Sequence, residues 1–146
     1  MKLTLTNLHP SLRPPLREWR RRTLHLARAL HEEPPRGCAP DVRELSVALL
    51  DDEHMAAMNW RHLRHRGPTD ILTFPYGQGR GEILISLDTA ASQARAHCQT
   101  LEDEVTLYLA HGLLHLAGLD DHTAPQRRRM RQEEKRLLTR LHQSKR

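Results

Sequence analysis

The sequence is poor in aromatic residues, cysteine and lysine. Of its 146 residues, two are Trp, two Tyr, one Phe and two Cys, and three are Lys. Two cysteines make no disulfide framework, so we expect a reducing, cytoplasmic environment. No stretch approaches the ~20 apolar residues that a membrane span needs, and the alternating N-terminus is not typical of a secretory signal. Disulfide scaffolds and membrane proteins are thereby excluded.

Positive charge is abundant and unevenly distributed. Lys and Arg total 23 against 18 acidic residues, and nearly all of these cations are Arg, which forms bidentate contacts with phosphate. Codon bias in a GC-rich genome would also explain the ratio of Arg to Lys. Residues 123–146 are strongly basic, whereas 99–121 contain five acidic residues and neither Lys nor Arg. A basic surface around an acidic, histidine-bearing segment is typical of a protein that binds a polyanion and also holds a cation.

Hydrophobic periodicity predicts an α+β fold with a mixed sheet of about four strands and about five helices. Strands are predicted at Lys2–Asn7, Glu44–Leu50, Asp70–Tyr76 and Gly81–Leu87, and helices at 14–31, after the N-cap candidates Asp51 and Asp52 through Met55, Met58 and Asn59, at 89–98, at 101–117 and at 124–142. The last two strands flank a glycine-rich turn and form a predicted antiparallel hairpin. We expect one domain over 1–146, because no linker divides the chain.

The segment 110–122 carries most of the chemical information. His111 and His115 are four residues apart on a predicted helix, so both imidazoles project from one face. Gly118 can end that helix with a positive φ and turn the chain back, which brings Asp120, Asp121 and His122 within reach of the same ion. Two such histidines alone could arise by chance among eleven, but the glycine and the Asp-Asp-His cluster favour a metal site. Three protein ligands and one open position are typical of catalytic zinc.

The residue after the first histidine limits the reaction class. Zinc peptidases of the His-Glu-x-x-His type place a general base there, and this chain has Gly112. A metal-bound water of pKa about 7 is still a nucleophile. With basic flanks to hold phosphates, a phosphodiester is the leading target, while deamination and other metal-dependent hydrolyses remain open alternatives.

Three blocks of sequence resemble the YbeY family of bacterial rRNA maturation factors. They are His111–His122, Met58-Asn59 with Gly67–Pro75, and Gly81–Ser86, in matching order and spacing. The resemblance implies a small α+β fold with a four-stranded sheet and a triple-histidine metal site. It also implies a zinc-dependent endoribonuclease that processes the 3′ end of small-subunit rRNA and acts in ribosome quality control.

Two positions depart from the family pattern. Asp121 occupies the place of the family's third histidine, and His122 follows one residue later. We predict His122 as the third ligand, with Asp121 as the alternative. The family's Tyr-Arg pair aligns with His62 and Leu63, so Arg61 and Arg64 are the predicted RNA-binding residues, and Arg64 is the candidate catalytic arginine.

The resulting hypothesis is a cytoplasmic metalloprotein that cleaves rRNA. His111, His115 and His122 would hold one Zn²⁺ per chain, and a bound water would attack the phosphodiester. The expected partners are rRNA and the small ribosomal subunit, with ribosomal proteins as further candidates. The alternative is a non-catalytic, zinc-stabilised ribosome-assembly factor that binds RNA or ribosomal proteins.

Overall fold

The computed structural model describes residues 1–63 and 70–144. In chain order the elements are β1 (Lys2–Asn7), α1 (Leu16–Glu32), β2 (Glu44–Leu50), α2 (Asp52–Leu63), β3 (Ile71–Gly77), β4 (Arg80–Ser86), α3 (Leu87–Ala96), α4 (Leu101–Leu116) and α5 (Ala124–Gln143). The α+β class and the mixed four-stranded sheet are confirmed.

The sheet has the order β1-β2-β4-β3. Strands β1, β2 and β4 are parallel, with Leu3 opposite Leu45 and Val47 opposite Ile83. The β3–β4 pair is the predicted antiparallel hairpin, with Leu72 opposite Leu84. Strand β3 therefore forms one edge of the sheet.

The period-two alternation of side chains along β2 divides the core between the two faces of the sheet. Leu45, Val47 and Leu49 are fully buried against α1, α3, α4 and α5 in the larger cluster. Leu50 contributes to a smaller cluster with Met55 of α2 and with residues of β3 and β4. The larger cluster is rich in leucine, and it supports α4, the helix that carries both histidines.

Local capping explains where several elements begin. Ser86 is the last residue of β4 and also the N-cap of α3, since its hydroxyl accepts a hydrogen bond from the Thr89 amide. Helix α3 therefore begins at Leu87, which the sequence prediction assigned to the strand. Helix α1 begins after Pro15, the N-cap, whose carbonyl accepts a hydrogen bond from the Trp19 amide, so both prolines precede the helix and do not lie in its first turn. The predicted break at 66–69 lies outside the described residues.

Two close contacts fix α4 against the rest of the fold. Arg22 of α1 is buried, donates to the Thr106 hydroxyl at 3.0 Å, and lies 3.6–3.7 Å from carboxylate oxygens of Glu102 and Asp103. At Gly112, a Cβ would lie 2.8 Å from the Ile83 Cδ1 atom, so α4 approaches the sheet more closely than alanine would allow. None of the helices in the described parts of the chain has the length and apolar character of a transmembrane span.

Candidate metal centre

The two histidines of α4 meet at the surface of the helix. His111 and His115 are each partly buried, and their Nε2 atoms lie 3.0 Å apart. The rings are nearly perpendicular, with centroids 4.5 Å apart. Because the two histidines are four residues apart on the helix, their nitrogen donors lie next to each other, as the sequence predicts.

Gly118 ends α4 and turns the chain back toward the histidines. Its φ of +104° is in the region that glycine adopts readily. The Gly118 amide donates to the His115 carbonyl and the Leu119 amide to the Leu114 carbonyl, which together form a Schellman motif. Leu119 is buried and anchors the turn. The predicted helix ending is confirmed.

Asp121, and not the predicted His122, lies beside the imidazole pair. The Asp121 Oδ2 atom is 3.3 Å from His115 Nε2 and 3.5 Å from His111 Nε2. His122 is exposed and lies outside the group formed by these three residues. Its amide donates to Gln126 Oε1 and its carbonyl accepts from Arg127, so its backbone is tied to the start of α5. These bonds leave Asp121 as the residue of the turn that faces the histidines.

The donor set fits a divalent metal ion. Two imidazole nitrogens and one carboxylate oxygen lie 3.0–3.5 Å from one another. Tetrahedral coordination with bonds of about 2.0–2.1 Å places donors about 3.3–3.4 Å apart. Two histidines with one carboxylate are also a known donor set of catalytic zinc sites. The spacing of the donors is thus close to what such an ion requires.

A buried carboxylate from α5 contacts the far side of His111. Glu134 Oε2 lies 3.0 Å from His111 Nδ1. Burial lowers the pKa of His111, but the nearby carboxylates of Glu134, Asp121 and Asp70 outweigh it, so the pKa is raised on balance. Sequence reasoning missed Glu134. The available signal was a carboxylate at a position of the apolar stripe of α5, whose other buried members are Met130, Leu137 and Leu141.

A cavity of about 460 Å³ adjoins the group and shares His111 and Glu134 with it. Asp70, Glu104, Tyr108 and polar residues of α3 contribute further to its lining. Glu104 is almost fully buried, and burial, with the nearby carboxylates, raises the pKa of the Tyr108 hydroxyl. Such a lining disfavours a phosphate and favours a cation or an N–H donor.

The predicted RNA-binding arginines do not belong to the donor group. Arg61 lies exposed near the end of α2, and no contact among the described residues joins it to the histidines. Arg64 lies outside the described residues. Exposed arginines do follow the donor group in the sequence, at Arg127, Arg128 and Arg131 of α5.

The family model and the curated relatives that match this chain indicate one family. The family model described as Endoribonuclease YbeY matches residues 12–142. A relative from Anaeromyxobacter sp. (strain Fw109-5) with that name is 35% identical over 143 residues, covering 94% of this chain and 70% of its own length. The Porphyromonas gingivalis (strain W83) protein of that name is 39% identical over 106 residues, 70% of each chain.

Two further matches differ in coverage or identity. The Endoribonuclease YbeY of Myxococcus xanthus (strain DK1622) is 40% identical over 104 residues, or 65% of this chain, but this chain spans only 35% of that protein's length. A Thermotoga maritima protein of known solution structure superposes with a TM-score of 0.66 at 23% identity, over 95% of this chain and 88% of its own. At that identity the superposition supports the fold alone.

Proposed function

The chain belongs to the YbeY family of endoribonucleases, and from that membership we propose that it is a metal-dependent endoribonuclease of rRNA maturation. Residues 1–146 would act as a single domain that holds one Zn²⁺. The proposed reaction is hydrolysis of phosphodiester bonds in processing the 3′ end of small-subunit rRNA and in ribosome quality control. The free thiols of Cys38 and Cys98 support a cytoplasmic location for this activity.

The observation that carries the proposal is the spacing of three donors from α4 and its exit turn. His111, His115 and Asp121 would hold the ion, because their donor atoms already lie 3.0–3.5 Å apart. A divalent ion bound there supplies Lewis acidity and lowers the pKa of bound water toward about 7. Asp121 replaces the predicted His122 in this assignment.

The residues around the three donors do not include a general base at the position where zinc peptidases have one. Glu134 Oε2 lies 3.0 Å from His111 Nδ1, and Gly112 leaves the position after the first histidine without a proton acceptor. Gly112 also lets α4 lie close to β4, so the helix that carries both imidazoles rests on a packed core. The chain thus provides a rigid support for hydrolysis and lacks the glutamate of zinc peptidases.

RNA would be held by cationic side chains outside the acidic cavity. We assign this role to Arg61 and Arg64 and to the exposed arginines of α5, with rRNA and the small ribosomal subunit as partners. The net charge of +5 supports attraction of a polyanion. Since the cavity beside His111 is lined by carboxylates, the phosphates would pass along its rim.

One observation favours a second function. His62 and Leu63 stand where the family has Tyr-Arg, so the arginine expected to support cleavage is displaced. The second candidate is a zinc-stabilised ribosome-assembly factor that binds RNA or ribosomal proteins and does not cleave.

Cleavage assays separate the two. The wild type, His115→Ala and Arg64→Ala would be incubated with rRNA fragments containing the small-subunit 3′ end, after chelation and after Zn²⁺ is restored. We expect cleavage by the wild type that chelation abolishes and Zn²⁺ restores, loss of it in His115→Ala, and a reduced rate in Arg64→Ala. RNA binding without metal-dependent cleavage in the wild type would establish the assembly factor instead.

A further inference from the structure

Helix α5 buries a carboxylate where its packing calls for an apolar side chain. Met130, Leu137 and Leu141 are each about 98% buried or more, and Glu134 lies on the same stripe with 9% of its surface exposed. Burying a carboxylate is costly unless it is hydrogen-bonded, and replacing a buried polar pair by apolar residues is often neutral or stabilising. Packing alone therefore gives no reason for glutamate at this position.

The contact that Glu134 makes is specific. Among the hydrogen bonds and ion pairs of the described residues, its one partner is the Nδ1 atom of His111, at 3.0 Å. An ionised carboxylate can only accept, so the proton of a neutral His111 must lie on Nδ1. The Nε2 atom then presents its lone pair, and it is this atom that lies 3.0 Å from His115 Nε2 and 3.5 Å from Asp121 Oδ2.

We propose that Glu134 is a positioning residue that holds His111 in the Nδ1–H tautomer, with Nε2 directed at the ion. The inference rests on the metal site of the proposed function and deepens it. Metal-binding histidines commonly donate their second N–H to a carboxylate, which fixes the ring and raises the basicity of the ligand. Within the described residues no hydrogen bond reaches Nδ1 of His115. His111 is therefore oriented by a residue outside the donor group, and that residue, Glu134, lies on a different helix.

Three variants distinguish positioning from a purely structural role. Glu134→Leu completes the apolar stripe and removes the acceptor. Glu134→Gln keeps an acceptor oxygen but loses the charge. Glu133→Gln is the matched control, because Glu133 is the neighbouring glutamate and its side chain pairs with Arg136 at 2.8 Å, away from the histidines. Each variant is titrated with Zn²⁺ against a chromophoric chelator, and its metal-free form is unfolded in urea.

We expect Glu134→Leu to weaken Zn²⁺ binding by about 10- to 100-fold, the range usual for loss of an outer partner of a metal-bound histidine. The metal-free variant should remain folded and unfold in urea at a concentration close to that of the wild type, because His111 is partly exposed and water can replace the lost partner. Glu134→Gln should lose less affinity, and Glu133→Gln should bind Zn²⁺ like the wild type. Wild-type affinity in Glu134→Leu would overturn the proposal, as would an equal loss in Glu133→Gln.

The tautomer of His111 provides a readout that needs no metal. Nitrogen chemical shifts of the ring in the metal-free wild type, recorded at a pH where His111 is neutral, should report the proton on Nδ1, and Glu134→Leu should shift the population toward the other tautomer. A wild type that binds no Zn²⁺ yet keeps the Nδ1–H form would refute the metal site of the proposed function and leave the positioning role standing. The same tautomer in the wild type and in Glu134→Leu would refute the positioning role.

Discussion

Asp121 and His122 are adjacent, yet the turn after Gly118 gives them different surroundings. Asp121 faces the two imidazoles within 3.5 Å, while the backbone of His122 is bonded to Gln126 and Arg127 and its side chain is exposed. In a tight turn, the side chains of two adjacent residues can point in different directions. The assignment of the third ligand therefore depends on the hydrogen bonds of the turn and not on residue type.

Paired substitutions at these two positions test the assignment. Asp121→Ala should weaken Zn²⁺ binding by at least about 100-fold, since loss of a direct ligand exceeds the 10- to 100-fold effect of an outer partner. His122→Ala should leave affinity nearly unchanged, and isothermal titration calorimetry measures both. The reverse pattern would make His122 the ligand and would require the turn to rearrange when the ion binds.

Glu18 makes a separate, pH-dependent contribution to stability. A hydrogen bond from Arg21, aided by Arg22, lowers the pKa of this exposed carboxyl from 4.5 to about 2. Because the folded pKa is the lower one, the stabilisation is present above about pH 4.5 and is lost as the pH falls toward 2. The wild type should exceed Glu18→Gln in unfolding free energy at pH 6, and the difference should shrink below pH 4. A difference independent of pH, in urea unfolding over this range, would contradict the assignment.

At the scale of elements, α5 contacts the donor group at two places, the His111 ring and the turn that carries Asp121. Its buried stripe supplies Glu134, and its capping box joins Thr123 to Gln126. The Gln126 Oε1 atom accepts from the amides of His122 and Thr123, so one side chain ties the turn after α4 to the first turn of α5. The geometry of Asp121 therefore depends on a helix that contributes no donor of its own.

Substituting Gln126 should affect stability and metal binding together. Gln126→Ala removes one half of the capping box and should lower the unfolding free energy by about 1 kcal/mol. Release of the His122 amide should also weaken Zn²⁺ binding. Gln132→Ala is the matched control, because Gln132 is exposed on the same helix and should change stability by less than about 0.5 kcal/mol. Urea unfolding and Zn²⁺ titration measure the two effects. Equal behaviour of both variants would show that the cap does not control the turn.

Across the whole molecule, local sequence patterns predicted correctly those parts of the fold whose structure depends mainly on residues close together in the sequence. The strands β1 and β2, the hairpin and the turn at Gly118 all follow from local signals and are confirmed. The contact between His111 and Glu134 joins residues 23 positions apart on different helices, so no local pattern predicts it. The choice between Asp121 and His122 depends on the direction in which the turn points each side chain, and residue type alone does not predict that direction.

The charge of the whole molecule predicts salt-dependent binding of RNA. The net charge is +5, and Arg128 and Arg131 are exposed one turn apart on α5. Affinity for a single-stranded rRNA fragment, measured by fluorescence anisotropy on chelated protein, should fall as salt rises. Removing two phosphate contacts in the Arg128→Ser/Arg131→Ser variant should reduce the slope of log K against log salt by about 1.4.

A control variant that loses the same charge elsewhere on the surface tests whether the exposed arginines of α5 bind the RNA. The Arg17→Ser/Arg95→Ser variant removes two exposed arginines from α1 and α3 and should change the slope less. Equal slopes for the two variants would mean that net charge alone, and not the exposed face of α5, holds the RNA.

The position of Glu134 and Gln126 on α5, which follows α4 in the chain, also sets an order of assembly during synthesis. The ribosome releases α4 with both histidines before it releases the helix that braces His111 and ties down the turn. A nascent chain therefore carries the ligands before their supports, and His111 and the turn reach the geometry described above only after α5 has left the exit tunnel and docked.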